Sequence, residues 1–355
     1  MQASSDAGPS ADPSLLILWQ YVRGLDDMSI YLITGGAGFI GSHLAEWLLN
    51  EGHAVRILDD LSTGRRENVP DGARLVIGDV ADPNAAMAAM VGTAGCFHLA
   101  AIASVPKSNE DWLGTHRTNL SGTIAILNAA RRCGRIPVVY ASSAAVYGDN
   151  PTMPLDEAAR TLPLSAYGAD KLGCELHARI GTLVHGIPST GFRFFNVYGP
   201  RQDPHSPYSG VISIFANRLL AGSPVTVFGD GLQTRDFIYV GDVVDHLVAA
   251  MRHPPPTARI FNACTGRQTT LLHLIEILGG LIHVTPRIDF AAAHSSDIRH
   301  SLGSPDLCVR ELGVRAATGL PRGLEATLDS LRGLPAGGIV EFPHRVHQSR
   351  LGRFI

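Results

Sequence analysis

The segment from Ile30 to Asn50 constrains the fold more than any other. The apolar run Ile30 to Thr34 leads directly into Gly35-Gly36-Ala37-Gly38-Phe39-Ile40-Gly41, after which Leu44, Trp47 and Leu48 recur at helical spacing. Strand, glycine turn and helix in that order predict the opening unit of a Rossmann-type, doubly wound parallel α/β sheet. The glycines let the backbone turn tightly and come close to a pyrophosphate, whose charge is met by the amides at the helix N-terminus. A second apolar run, Ala54 to Leu58, ends in Asp59, at about the separation from the glycines where a carboxylate reaches both ribose hydroxyls. Asp60 follows it. Two carboxylates there repel a 2′-phosphate, so the expected cofactor is NAD rather than NADP.

Two more short runs have the same form. Leu75 to Ile77 runs into Gly78-Asp79-Val80, and Gly95 to Leu99 runs into Ala100-Ala101. Both are expected to flank the adenine and the diphosphate. Asp79 reads equally well as a cap for the next helix. The expected cofactor residues in this half are Gly35, Gly38, Phe39, Ile40, Gly41, Asp59, Asp60, Ser62, Gly64, Asp79, Val80, Leu99, Ala100 and Ala101.

A fifth apolar run, Val138 to Ala141, closes in Ser142-Ser143-Ala144-Ala145, which puts hydroxyls at the C-terminal edge of the sheet, where ligands of open α/β folds bind. Downstream lies Tyr167-Gly168-Ala169-Asp170-Lys171, and residues four apart share a helix face, so Lys171 stands beside Tyr167. A phenol is a poor base at neutral pH until a neighbouring ammonium and a positive nicotinamide favour its phenolate. The expected catalytic set is Ser143, Tyr167 and Lys171, with Ser143 bridging a substrate hydroxyl to Tyr167 while NAD accepts a hydride from the same carbon.

A chain of 355 residues is too long for one compact core. The expected organisation is an N-terminal extension over 1–27 without fixed structure, an NAD-binding domain over 28–192 to which about 251–272 returns, a smaller C-terminal α/β substrate domain drawn mainly from 193–331, and a tail over 332–355. A net charge of -3 and 17% charged residues give no electrostatic case for nucleic acid or an anionic membrane. The five cysteines have neither paired nor metal-like spacing, so no disulfide framework and no metal are expected. Leu15 to Trp19 is too short for a signal-peptide core, and no run reaches the roughly 18 apolar residues that cross a bilayer. A cytoplasmic protein acting on a small molecule is expected.

The glycine pattern, Ser143, and Tyr167 with Lys171 together resemble the extended short-chain dehydrogenase/reductase family, from Met28 to about Leu331. The stretches Phe192-Arg193-Phe194-Phe195-Asn196-Val197-Tyr198-Gly199-Pro200-Arg201 and Gly229-Asp230-Gly231-Leu232-Gln233-Thr234-Arg235-Asp236-Phe237 are similar to its sugar-nucleotide epimerase and dehydratase branch, and within it to the NAD-dependent UDP-sugar 4-epimerases. The resemblance implies that Asn196 and Arg235 hold the substrate diphosphate and that Asn119 joins the cofactor residues, as do Tyr167 and Lys171. The implied substrate set is Ser143, Tyr167, Asn196, Val211, Val227, Arg235, Asp297 and Ser301. It further implies a homodimer joined through the helices at about 114–132 and 167–185. Arg201, Arg235 and Arg299 fall in loop-like segments and suit a diphosphate, since guanidinium binds its oxygens bidentately. Arg193 lies in the strand-like run Thr190 to Val197, where a structural role reads equally well.

The branch also contains 4,6-dehydratases and decarboxylases, which carry carboxylates immediately after the catalytic hydroxyl residue; here those positions are Ala144 and Ala145. Without a carboxylate for the extra proton transfers, a 4-keto intermediate can only take its hydride back, which favours epimerisation at C4. Dehydratase or decarboxylase, net dehydrogenase, and a non-catalytic NAD-binding regulator are the alternatives. Two departures bear on the substrate. His294 stands where the family often has Arg, and Ser301 aligns with a bulky Tyr of strict glucose/galactose enzymes. The expected substrates are UDP-glucose/galactose, UDP-N-acetylhexosamine or UDP-glucuronate.

Overall fold

The computed structural model describes residues 28–204, 210–293 and 298–333. The expected extension 1–27, the tail from 334 onward, His294 and Asp297 lie outside those residues. The chain opens with β1 (Ile30–Thr34), α1 (Phe39–Asn50), β2 (Ala54–Asp59), β3 (Arg74–Ile77), α2 (Pro83–Met90) and β4 (Gly95–His98). Next come α3 (Val105–Glu110), α4 (Trp112–His116), a π-helical turn (Arg117–Ser121), α5 (Gly122–Arg132), β5 (Val138–Ser143), a 3-10 turn (Ala144–Tyr147), α6 (Ala166–His185) and β6 (Ser189–Phe194). The remainder comprises β7 (Asn196–Tyr198), α7 (Val211–Leu220), β8 (Val225–Phe228), β9 (Thr234–Arg235), β10 (Phe237–Tyr239), α8 (Val240–Arg252) and β11 (Arg259–Ala263). Last are β12 (Thr269–Thr270), α9 (Leu271–Ile282), β13 (Ile288–Ala291), α10 (Asp306–Leu312) and α11 (Leu320–Leu331).

Seven strands form one sheet in the order β11-β6-β5-β4-β1-β2-β3, and every pairing in it is parallel. Consecutive residues of a strand point to opposite faces, so Leu32 enters one core with Leu58, Met90, Ile126 and Tyr140, while Ile33 enters the other with Leu44, Trp47, Ile57 and Phe97. Burial on both faces is why these strands read as unbroken apolar runs. The chain steps outward from β1 in one direction and, starting again at β4, in the other. That switch point opens a crevice beyond the C-terminal ends of β1 and β4.

The run expected as one strand from Thr190 to Val197 is two. Phe195 donates its amide to Ala263 and Asn196 donates to Asp236, so the chain leaves the large sheet and pairs with β10 instead. Beyond it lies a separate core around Tyr198, Ile212, Phe215, Val227, Leu274, Leu278 and Leu324. Three two-stranded sheets accompany it. β11 returns to the large sheet beside β6. The helix expected at about 114–132 is interrupted by the π turn, and just after it the Thr123 hydroxyl donates to the Asn119 carbonyl at 2.7 Å.

Candidate active site

The glycine turn packs as the sequence requires. Gly35 adopts a φ of +70°, and a Cβ on Gly41 would collide with the Gly35 carbonyl oxygen, so α1 can start this close to β1 only without a side chain there. Gly38 caps α1 with no side-chain hydrogen bond, which leaves the first-turn amides available to an anion. Phe39 and Ile40 pack back onto the second core, fixing the helix start.

Asp59 is buried at the end of β2. Its carboxylate accepts the amides of Ala37 and Leu61, each at 2.9 Å, and burial pushes its pKa up against the pull of those bonds. A carboxylate accepts more than two bonds, so ribose hydroxyls can still be served. Gly64 lies against the same carboxylate. Asp60 is exposed and accepts both the amide and the hydroxyl of Ser62, at 2.9 and 2.6 Å. Asp79 turns its own loop by accepting the Ala81 amide at 2.8 Å and pairs with Arg117 at 2.6 Å, whereas Asp82 caps α2. Val80 is buried, and Leu99, Ala100 and Ala101 follow β4, with Ala100 against Gly35. Asn119 is 1% exposed and grips the backbone of Ile102, accepting its amide at 2.8 Å and donating to its carbonyl at 3.2 Å.

Tyr167 and Lys171 occupy the start of α6. Lys171 is buried, and its ammonium donates to the Ala141 carbonyl at 2.9 Å while lying 5.9 Å from the centroid of the Tyr167 ring. Ser165 caps the helix at the Gly168 amide, and the Tyr167 amide donates to Ser108 at 3.1 Å. A Cβ on Gly168 would lie 2.8 Å from the Ala145 carbonyl oxygen, so the first turn of α6 sits directly against the backbone that follows Ser143. The Ser143 hydroxyl accepts the Ala145 amide at 3.1 Å. Beneath them is a buried network not anticipated from the sequence. Arg193 grips Glu175 bidentately at 2.9 and 2.7 Å and lies 4.7 Å above the Tyr147 ring, while Ser142 donates to Glu175 at 2.5 Å. Arg193 is therefore structural. Glu175 lies one helical turn beyond Lys171, the one sequence signal that could have pointed to it.

Beyond the large sheet, Asn196 opens β7 and Arg235 ends β9, donating to the Thr234 carbonyl at 2.9 Å. Ser301 donates its amide to Thr234 at 3.2 Å, and its neighbour Leu302 accepts the Leu155 amide, so this segment runs between β9 and the loop after the 3-10 turn. Asp236, also missed, accepts the Thr265 amide and hydroxyl and the amides of Gly266 and Gly303, tying three loops together. Val211 starts α7 with its side chain partly buried. Three of the residues expected near the substrate have packing or ion pairs of their own. Val227 is fully buried in the second core, where strand alternation points it inward, so its side chain offers a ligand no surface. Arg299 is held by Asp230 at 2.8 and 2.7 Å, a pair that brings the Asp230 carboxyl down to about 2. Arg201 is paired with Glu46 at 2.5 Å.

Residues 31–264 match the model of the NAD dependent epimerase/dehydratase family. The chain belongs to that family. Within it, the chain is 36% identical over 308 residues to a UDP-glucose 4-epimerase of Mycolicibacterium smegmatis, covering 85% of this chain and 98% of the relative. It is 39% identical over 269 residues to a UDP-N-acetyl-alpha-D-glucosaminuronate decarboxylase of Bacillus cytotoxicus, covering 72% and 81%. The crystal structure of a Thermus thermophilus UDP-glucose 4-epimerase in complex with NAD superposes with a TM-score of 0.80 at 36% identity, covering 86% of this chain and 99% of that one. The expected family, parallel fold and NAD dependence agree with these findings. The first turn of α1, which no side chain caps, the Asp59 carboxylate and the Asn119 clamp of this family member fit that cofactor.

Proposed function

We propose that the protein is an NAD-dependent 4-epimerase of UDP-linked hexoses. The observation that carries this reading is the Lys171 ammonium, fixed to β5 beside Ser143 and 5.9 Å from the Tyr167 ring, with Ala144 and Ala145 next to Ser143. Tyr167 takes the proton from the C4 hydroxyl, with the Lys171 ammonium held beside its ring. Ser143 holds the same substrate oxygen through its hydroxyl. When bound, NAD supplies the hydride acceptor at C4 and the donor for the return step. Tyr167 then gives its proton back to the carbonyl oxygen. If the 4-keto sugar has turned over in the meantime, the new C–H bond forms on the other face and the C4 hydroxyl is inverted. No carboxylate follows Ser143 to move a proton at C5 or to assist loss of C6, which weighs against a dehydratase or the decarboxylase chemistry of one relative.

Asn196, Arg235 and Val211 are proposed to hold the UDP portion, and Ser301 to leave room beside the sugar for a substituent larger than hydroxyl. An N-acetyl group at C2 or a carboxylate at C5 would then be accepted. Leu176, Ile180, Leu183 and Val184 stand exposed along one face of α6, with Ile124 exposed on the adjacent α5. A second copy of the chain is proposed to cover them, and a monomer mass by light scattering at micromolar concentration would count against it. No described helix is long and apolar enough to cross a membrane. The proposed activity is tested by incubating purified protein with UDP-glucose, UDP-N-acetylglucosamine and UDP-glucuronate without added cofactor. Formation of the C4 epimers supports the reading; a product that has lost water or carbon dioxide, or a requirement for stoichiometric NAD, overturns it.

A further inference from the structure

His98 ends β4 at 4% exposure, and both of its ring nitrogens meet threonine hydroxyls on different elements. Nδ1 lies 2.7 Å from Thr34 Oγ1 at the end of β1, and Nε2 lies 2.9 Å from Thr123 Oγ1 in the first turn of α5. Counting protons sets the directions. The Thr123 hydroxyl is 2.7 Å from the Asn119 carbonyl, which can only accept, so Thr123 donates there and receives the Nε2 proton of His98, while the Cys174 thiol, 3.2 Å from Thr123, donates to the same carbonyl at 3.4 Å. Nδ1 is then an acceptor, Thr34 donates to it, and the Thr34 oxygen accepts the Ala100 amide at 3.2 Å. A neutral imidazole satisfies every member of this series. Burial, and after it the charge of Lys171, holds the His98 pKa down to about 3, so the ring carries no charge near neutral pH.

The two ends of the series meet the same loop. Thr34 holds Ala100, while Asn119, whose carbonyl closes the other end, grips Ile102 with its side-chain amide. We propose that His98 is a positioning residue for the cofactor site, an uncharged double bridge that keeps the loop from Leu99 to Ile102 in register with Asn119 at the β1/β4 switch point. The inference rests on reading that loop as part of the NAD site. An imidazole suits the task because it offers a donor and an acceptor on a rigid ring without charge. Buried links of this kind are costly to break one at a time, since each break leaves a partner unsatisfied.

Thr34→Val breaks the links to His98 and Ala100, and Thr123→Val those to His98 and Asn119, each while keeping the shape of the side chain. The readouts on the holoenzyme are the release rate of bound NAD, the KM for the UDP-sugar, and Tm. Each single variant is expected to release NAD about tenfold faster, about 1.4 kcal/mol, with KM within about twofold of the unmodified enzyme. The double variant is expected to release NAD little faster than the worse single, because one break already frees the loop. A lowered Tm with unchanged NAD release overturns the proposal, and so do fully additive effects. His98→Leu can fail to fold, and the threonine pair carries the test for that reason. Unmodified protein that neither retains NAD nor epimerises a UDP-sugar would instead overturn the functional reading, and the proposal with it.

Discussion

Lys171 donates its ammonium to the Ala141 carbonyl at 2.9 Å, two residues before Ser143 on β5. One bond therefore fixes the charge beside Tyr167 and ties the helix to the strand that presents Ser143. Because the ammonium is anchored by backbone, removal of the Tyr167 hydroxyl should leave the rest of the site standing. Tyr167→Phe is expected to keep bound NAD and the fold while lowering kcat by about a hundredfold or more, measured by steady-state turnover alongside cofactor content. Near-normal turnover would remove Tyr167 from the mechanism.

Asp59 has a different kind of task. Its carboxylate closes the glycine turn through Ala37 and the following loop through Leu61, and it is proposed to hold the ribose. Asp59→Ala should lower the NAD content of purified protein, while turnover per bound NAD changes little. Full occupancy in that variant would count against the assignment.

Ser301 tests the substrate. Ser301→Tyr should exclude UDP-N-acetylglucosamine and UDP-glucuronate while sparing UDP-glucose, since overfilling a site is costly. The comparison is kcat/KM for the three UDP-sugars on both proteins. Equal loss for all three would show that Ser301 does not set the size limit.

Acid should weaken the fold before it titrates ordinary carboxylates. Burial lowers the pKa of His98 from 6.5 to about 3 and that of His43 to about 4, and it lowers His53 and His246 as well. Below pH 6.5 the unfolded chain gains protons that the folded protein refuses. Stability should therefore be fully present above 6.5 and fall by about 1.4 kcal/mol per pH unit for His98 alone as pH drops toward the folded value. The buried Asp59 and Asp236, raised by burial, act in the opposite direction once pH reaches their own range, and Asp245, pushed up to about 6 by burial and the neighbouring Asp242, does so within the same window, so it offsets part of the loss from His98 and His43. Urea unfolding from pH 6.5 down to about 5 checks this, and a flat or rising stability contradicts it.

The parallel strands were legible because burial on both faces makes each a continuous apolar run, and β1 falls where the sequence places it, over Ile30–Thr34. Partners distant in sequence were not. Thr34 and Thr123 lie far from His98 along the chain, and nothing in the pattern joins them. No motif shows that Arg299 pairs with Asp230 or that the Val227 side chain packs inward from β8. Arg193 could be weighed but not decided, since its bidentate partner Glu175 belongs to another element. Motifs marked the segments that border the crevice; the supporting contacts came only from tertiary packing.

The central claim, that the hydride removed from C4 returns to C4, is tested most directly with a UDP-hexose carrying deuterium at C4. The epimerised product should retain the label at C4 with unchanged sugar mass, and excess unlabelled NADH in the medium should not dilute it. Loss of the label to added cofactor, its appearance at C6, or a product lighter by water or carbon dioxide would contradict the account.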